Sequence, residues 1–223
     1  MAFFYGNAVS LEKSPQTSTK SDYLRHRLCF DVVADQMMAH IRLASRGGMD
    51  YENTHPFVAR DNRDRTWTFA HNGHIFECDE LSPYVHVQQG QTDSERILLY
   101  IIDCINASQE AKGAALNQEE RFDVVDRVVH VISPENKANF ILFDGSLLYL
   151  HMNRKDSLHT CRKGKGIVVS THPLDDDRWE DVPMNTLLAY RQGVLRFTGR
   201  THDYEYIEDP EKLKYLFLDY SGL

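Results

Sequence analysis

Thr66-Trp67-Thr68-Phe69-Ala70-His71-Asn72-Gly73 reads as a strand that runs into a turn. Its first five residues alternate and are rich in β-forming side chains, the pattern of a half-buried strand. Asn-Gly follows, and both residues tolerate left-handed backbone, so a tight turn is expected there. Upstream, Met1 to Tyr5 is an apolar strand that starts at the first residue, with Asn7 to Leu11 as its hairpin partner. Ser21 to Leu28 reads as a short polar-faced helix. Gln36 to Leu43 reads as a strand carrying Arg42 near its end and leading into Ala44-Ser45-Arg46-Gly47-Gly48.

Downstream the period changes. Thr92-Asp93-Ser94-Glu95 has the spacing of a capping box, and Ile97 to Ile105 continues as a strongly apolar helix. Asn117 with Glu120 repeats the signal more weakly. Phe122, Val125, Val128, Val129 and Ile132 then recur at helical spacing, which makes an amphipathic helix facing a sheet. Beyond Pro134, Asn139–Phe143 pairs with Leu147–Met152, Leu158–Arg162 with Ile167–Thr171, and Leu187–Tyr190 with Val194–Phe197. Each pair flanks a glycine-containing turn. Strands, two helices, then antiparallel strands imply layered α+β, with helices packed on antiparallel sheets. One domain over 1–223 is expected, with 201–223 as a docked tail.

The chain has 223 residues and a composition of 42% hydrophobic and 26% charged residues, which excludes disordered and coiled-coil architectures. Its 33 acidic and 25 basic residues give a formal charge of -8. A general nucleic-acid binder needs a concentrated basic face, so none is expected. No apolar run approaches the roughly 20 residues a bilayer requires. The N-terminus lacks a basic n-region, and Cys29, Cys78, Cys104 and Cys161 lie far apart. Reduced thiols in a cytoplasmic protein are the expectation.

Chemistry-bearing residues gather between His40 and Glu95. The amide of Asn72 and the adjacent N–H of Gly73 can point at one oxygen, as a developing oxyanion requires; a plain hairpin turn is the alternative. Arg42 is either a guanidinium fork for a carboxylate or a solvated arginine. Asp93 either binds an ammonium group or only complements the helix dipole. A metal reading joins His40, His55, His71 and His74 with Asp93 or Glu95. No second short-spaced ligand pair follows, so neither a metal nor another cofactor is expected.

Ala39 to Gly47, Asn53-Thr54-His55-Pro56-Phe57, Trp67 to Gly73 and Thr92 to Glu95 together resemble the class II glutamine amidotransferases, closest to the small stand-alone bacterial type. Val169-Ser170-Thr171-His172-Pro173-Leu174, with Trp179 and Pro183, is similar to that subgroup's C-terminal signature. The resemblance implies an N-terminal-nucleophile hydrolase fold, a four-layer αββα with stacked antiparallel sheets. It implies glutamine as substrate, hydrolysed to glutamate and ammonia, and a partner protein where the ammonia is passed on. Arg42 would grip the substrate's α-carboxylate and Asp93 its α-ammonium. Asn72 and Gly73 would form the oxyanion hole, and Ser45 and Arg46 would touch the bound glutamine. Leu43 stands where the synthase members commonly carry tryptophan.

The nucleophile in that family is a cysteine directly behind the initiator methionine, with its own α-amino group as general base. Residue 2 here is Ala2, and no cysteine precedes Cys29. The chain opens at what matches the family's second strand, so a truncated N-terminus, with the first strand missing, is expected. An incomplete active site follows, through either a start codon further upstream or loss of catalysis. The alternative function is a non-catalytic amino-acid-binding or interaction module on the same fold.

Overall fold

The computed structural model describes residues 1–6, 8–43, 48–211 and 214. The chain runs β1 (Ala2–Tyr5), β2 (Ala8–Leu11), α1 (Asp22–Arg27), β3 (Gln36–Met38), β4 (Phe57–Arg60) and β5 (Thr66–His71). Two long helices follow, α2 (Asp93–Lys112) and α3 (Gln118–Ile132), then β6 (Phe140–Phe143) and β7 (Leu148–His151). The last elements are β8 (His159–Lys163), β9 (Gly166–Ser170), β10 (Trp179–Asp181), β11 (Leu188–Arg191) and β12 (Val194–Thr198). They build a six-stranded antiparallel sheet, β12-β11-β7-β6-β5-β4, and two three-stranded sheets, β2-β1-β3 and β10-β8-β9.

Alternation along the strands decides the layers. Trp67, Phe69, Leu142 and Tyr149 send one face of the large sheet against Ile97, Ile101, Val125, Val129 and Ile132 of the helices. The residues between them, Ala70, Ile141, Phe143 and Leu148, face the opposite way. Ala70 and Phe143 pack on Ala2, Phe4 and Met38. Leu150 and Leu188 pack on Leu158 and Val182. Both small sheets therefore stack on one face of the large sheet. Each buried Leu, Ile, Val or Phe contributes about 1.5–3 kcal/mol relative to exposure. Phe3 alternates outward, and the Arg27 guanidinium of α1 lies 4.8 Å from its ring centre. The order is helix, sheet, sheet, helix.

One buried ion pair ties the layers together. Arg121 of α3 donates to Asp144 at 2.7 Å, and the Tyr149 hydroxyl donates to the same carboxylate oxygen at 2.9 Å. Polar groups this deep in the core are compatible with folding only when paired in this way.

The expected β1–β2 hairpin, the two helices and the three later hairpins are present. Three readings change. The strand expected over Gln36–Leu43 stops at Met38, because β3 is a sheet edge and the residues beyond it have no neighbouring strand to pair with. β4 and β10 were not expected: they are four and three residues long, too short for a strand period to show. The helix caps exchange rank. Thr92 accepts from the Glu95 N–H, but the Glu95 carboxylate turns away to the N–H groups of Gln89 and Gly90. Asn117 and Glu120 form the full reciprocal box.

The tail is docked as far as it is described. Tyr206 N–H donates to Asn153 O at 2.7 Å, and Asn153 Nδ2 donates to Tyr204 O at 2.9 Å. Among the described residues no helix is long and apolar enough to cross a membrane.

Candidate active site

A cleft of about 670 Å³ opens where the two small sheets present their free edges, β3 and β9. Ala39 to Leu43, just beyond β3, form one wall, and Val169 to Thr171 at the end of β9 form another. Ala70 and Ile141 of the large sheet line its base. Arg42, Asn72, Gly73 and Asp93 all line this one cleft. Ser45 and Arg46 lie outside the described residues.

β5 ends in His71, and the chain then turns under the segment 136–139. His74 N–H donates to Lys137 O, and Lys137 N–H donates back to His74 O, both at 3.0 Å. Asn72 N–H donates to Asn139 O at 2.8 Å. The expected tight Asn-Gly turn is absent, since Gly73 does not adopt positive φ. Glycine is required there for a different reason: a Cβ at residue 73 would stand 1.8 Å from the Lys137 carbonyl oxygen. Among the described residues, the Gly73 N–H has no hydrogen-bond partner. The Asn72 side-chain oxygen accepts from Lys137 Nζ at 3.3 Å.

Asp93 begins α2, where the helix dipole favours a negative charge. Only 7% exposed, it needs compensation. Burial pushes its carboxyl pKa up, but His71 and the Ile75 N–H, which donates to Oδ2 at 2.7 Å, outweigh it. The carboxyl is therefore held below its ordinary value and is ionised at neutral pH. His71 Nε2 lies 3.0 Å from Lys137 O, and since a carbonyl only accepts, Nε2 carries the proton. Its Nδ1 lies 3.1 Å from Ser94 Oγ, and Oγ lies 3.3 Å from Asp93 Oδ1. Both nitrogens of His71 are thus engaged. Burial lowers its pKa, although Asp93 and Lys137 O raise it.

His40 and His55 stack with ring centres 4.2 Å apart. Burial brings His40 down to about 4 and His55 well below its ordinary value. They form a neutral wall. Arg42 donates to Gly48 O at 3.3 Å. The cleft thus holds a guanidinium, a carboxylate, a side-chain amide and a backbone N–H, a set that can hold a zwitterionic amino acid and a polarised carbonyl. Lys137 and Ser94 escaped sequence reading; Ser94 follows Asp93 directly, but nothing local marks Lys137.

No cysteine lines the cleft. Cys29 is exposed, Cys78 and Cys104 pack against the helix-side core, and Cys161 is buried in β8.

The sequence profile of the family described as "Glutamine amidotransferases class-II" matches residues 1–165. The chain belongs to this family. A Haemophilus influenzae protein named "Putative glutamine amidotransferase" is 28% identical over 177 residues, covering 79% of this chain and 58% of that one. The chain spans a little over half the length of the curated relatives it matches. A "predicted glutamine amidotransferase" of Pseudomonas aeruginosa, known from its crystal structure, superposes with a TM-score of 0.64 at 21% identity. That likeness covers 87% of this chain and 84% of the other. A "glutamine aminotransferase class-II domain protein" of Silicibacter pomeroyi gives 0.60 at 17%, covering 91% of each. These structures share the fold, that of the N-terminal-nucleophile amidotransferases.

Proposed function

We propose that this chain supplies the glutamine-binding part of a class II amidotransferase that hydrolyses the side-chain amide to glutamate and ammonia. Support comes from one observation: Arg42, Asn72, Gly73 and Asp93, distant in sequence, line a single cleft in a chain of this family. In this reading Arg42 pairs with the substrate α-carboxylate and Asp93 with its α-ammonium. Asn72 Nδ2 and the Gly73 N–H donate to the amide oxygen as it gains charge. Ser45 and Arg46 add contacts to the bound amino acid.

The nucleophile is a cysteine at a chain N-terminus, contributed from outside these 223 residues. Its thiol passes a proton to the cysteine's own α-amino group as the sulfur attacks the amide carbon, ammonia leaves with that proton, and water releases glutamate from the thioester. A thiol without a neighbouring α-amine lacks that base, so none of the four cysteines present can stand in. Transfer of ammonia to a second protein would follow at the same site.

The test has two parts. The 223-residue chain should bind L-glutamine by calorimetry, weakened at least tenfold in Arg42→Ala, yet release no ammonia. Translation of the DNA upstream of Met1 should give an in-frame Met-Cys start, and the extended chain should be a glutaminase. Sustained ammonia release by the 223-residue chain refutes the external nucleophile. A stop codon directly upstream, with glutamine binding intact, favours a non-catalytic binding module.

A further inference from the structure

We infer that Lys137, which lines the same cleft, is a positioning residue for the Asn72 amide: its ammonium holds the amide oxygen, which leaves the NH₂ as the end free to donate to a ligand there. Resting on the reading of Asn72 as an oxyanion donor, it adds a residue to that site. A primary amide can flip by half a turn, exchanging oxygen and nitrogen, and only one orientation presents a donor to a substrate carbonyl. Nothing in the Asn-Gly sequence chooses between them. Lys137 Nζ stands 3.3 Å from Asn72 Oδ1. An ammonium has three donors and no acceptor, so it cannot face an NH₂ group. The flipped amide would set donor against donor in a half-buried place, and the oxygen is kept toward the lysine.

The same residue fixes the rest of the turn. Its carbonyl accepts from His71 Nε2 and from His74 N–H, each at 3.0 Å, and its N–H donates to His74 O. Its carbonyl oxygen is also the atom that forbids a side chain at residue 73. Main chain and side chain of Lys137 therefore act on successive residues of one turn. The backbone bonds set where Asn72 and Gly73 sit, and Nζ sets which way the amide points. The charge at the amide oxygen also polarises the amide and strengthens donation from its NH₂. Burial lowers the Lys137 pKa, Arg154 acts in the same direction and Glu208 against it.

The experiment is calorimetric titration of the 223-residue chain with L-glutamine, using Asn72→Ala, Lys137→Met, Lys137→Arg and the Asn72→Ala/Lys137→Met pair, each checked for an unchanged urea midpoint. Loss of one aimed hydrogen bond should weaken binding about three- to tenfold in Asn72→Ala. Lys137→Met should approach that loss, the double variant should be no weaker than Asn72→Ala, and Lys137→Arg should recover most of it. Wild-type binding in Lys137→Met, or losses that multiply in the double variant, overturns the inference. So does a failure of arginine to rescue. Wild-type binding in Asn72→Ala instead overturns the site reading beneath it, and the two failures are thereby distinct.

Discussion

At the scale of single residues, Gly73 is held by a neighbour that cannot yield. The atom its missing Cβ would strike belongs to the Lys137 backbone, which is itself locked by the paired bonds to His74. Gly73→Ala must therefore open that bridge. Overpacking of this kind typically costs about 1–3 kcal/mol, and the displaced turn should also abolish glutamine binding. A urea midpoint and a glutamine titration at wild-type values would contradict this. Asn-Gly is visible in sequence as a pair of backbone-tolerant residues, but its purpose was not. Tolerance of positive φ and closeness to another strand both select glycine, and only the position of residue 137, remote in sequence, separates them.

At the scale of elements, the helix starts carry a comparison. Substituting an N-cap residue by alanine costs about 1 kcal/mol. Asn117→Ala should exceed Thr92→Ala, because the α3 cap is reciprocal while Glu95 serves Gln89 and Gly90 instead. Thermal denaturation of the two variants checks the order, and a larger loss in Thr92→Ala would reverse it. Periodicity marked α2 and α3, and hairpin turns marked the strands after Pro134. The end of β3 was not legible. Ala39 to Leu43 keep an apolar, strand-like composition, yet whether they pair depends on a neighbouring strand that a local pattern does not describe.

At the scale of the molecule, buried histidines set the response to acid. Burial, the leading cause in each case, lowers the pKa of His40 and His202 to about 4 and of His151 to about 3. It also lowers His55. In the unfolded chain these rings take up protons near 6.5, while in the folded protein they stay neutral. Below pH 6.5 the unfolded state therefore binds more protons, and stability falls with pH until the folded rings titrate, His40 and His202 near 4. Each fully buried ring removes about 1.4 kcal/mol per unit of pH in that window. Asp93 adds its loss only below its ordinary value of 3.8, because its folded pKa is depressed. Urea unfolding at pH 7, 6 and 5 should show a steep decline, and a flat profile would rule this out. His151 and His202 make the coupling concrete. His151 Nδ1 donates to Ala138 O, so its Nε2 must accept from His202 Nε2 across 3.0 Å, which ties the C-terminal segment to β7. Protonation of the His151 ring would set two donors face to face.

The sequence by itself determined the class of layers, the helices and most hairpins, because hydrophobic period and turn chemistry act between residues near one another in the chain. Family motifs likewise exposed Arg42, Asn72, Gly73 and Asp93. Tertiary structure alone decided that these four share one cleft, that His40 and His55 line it as a neutral wall, and that Lys137 stands beside Asn72 in it. Stacking two sheets brings together residues tens of positions apart, and the burial that shifts their protonation exists only once those sheets have packed.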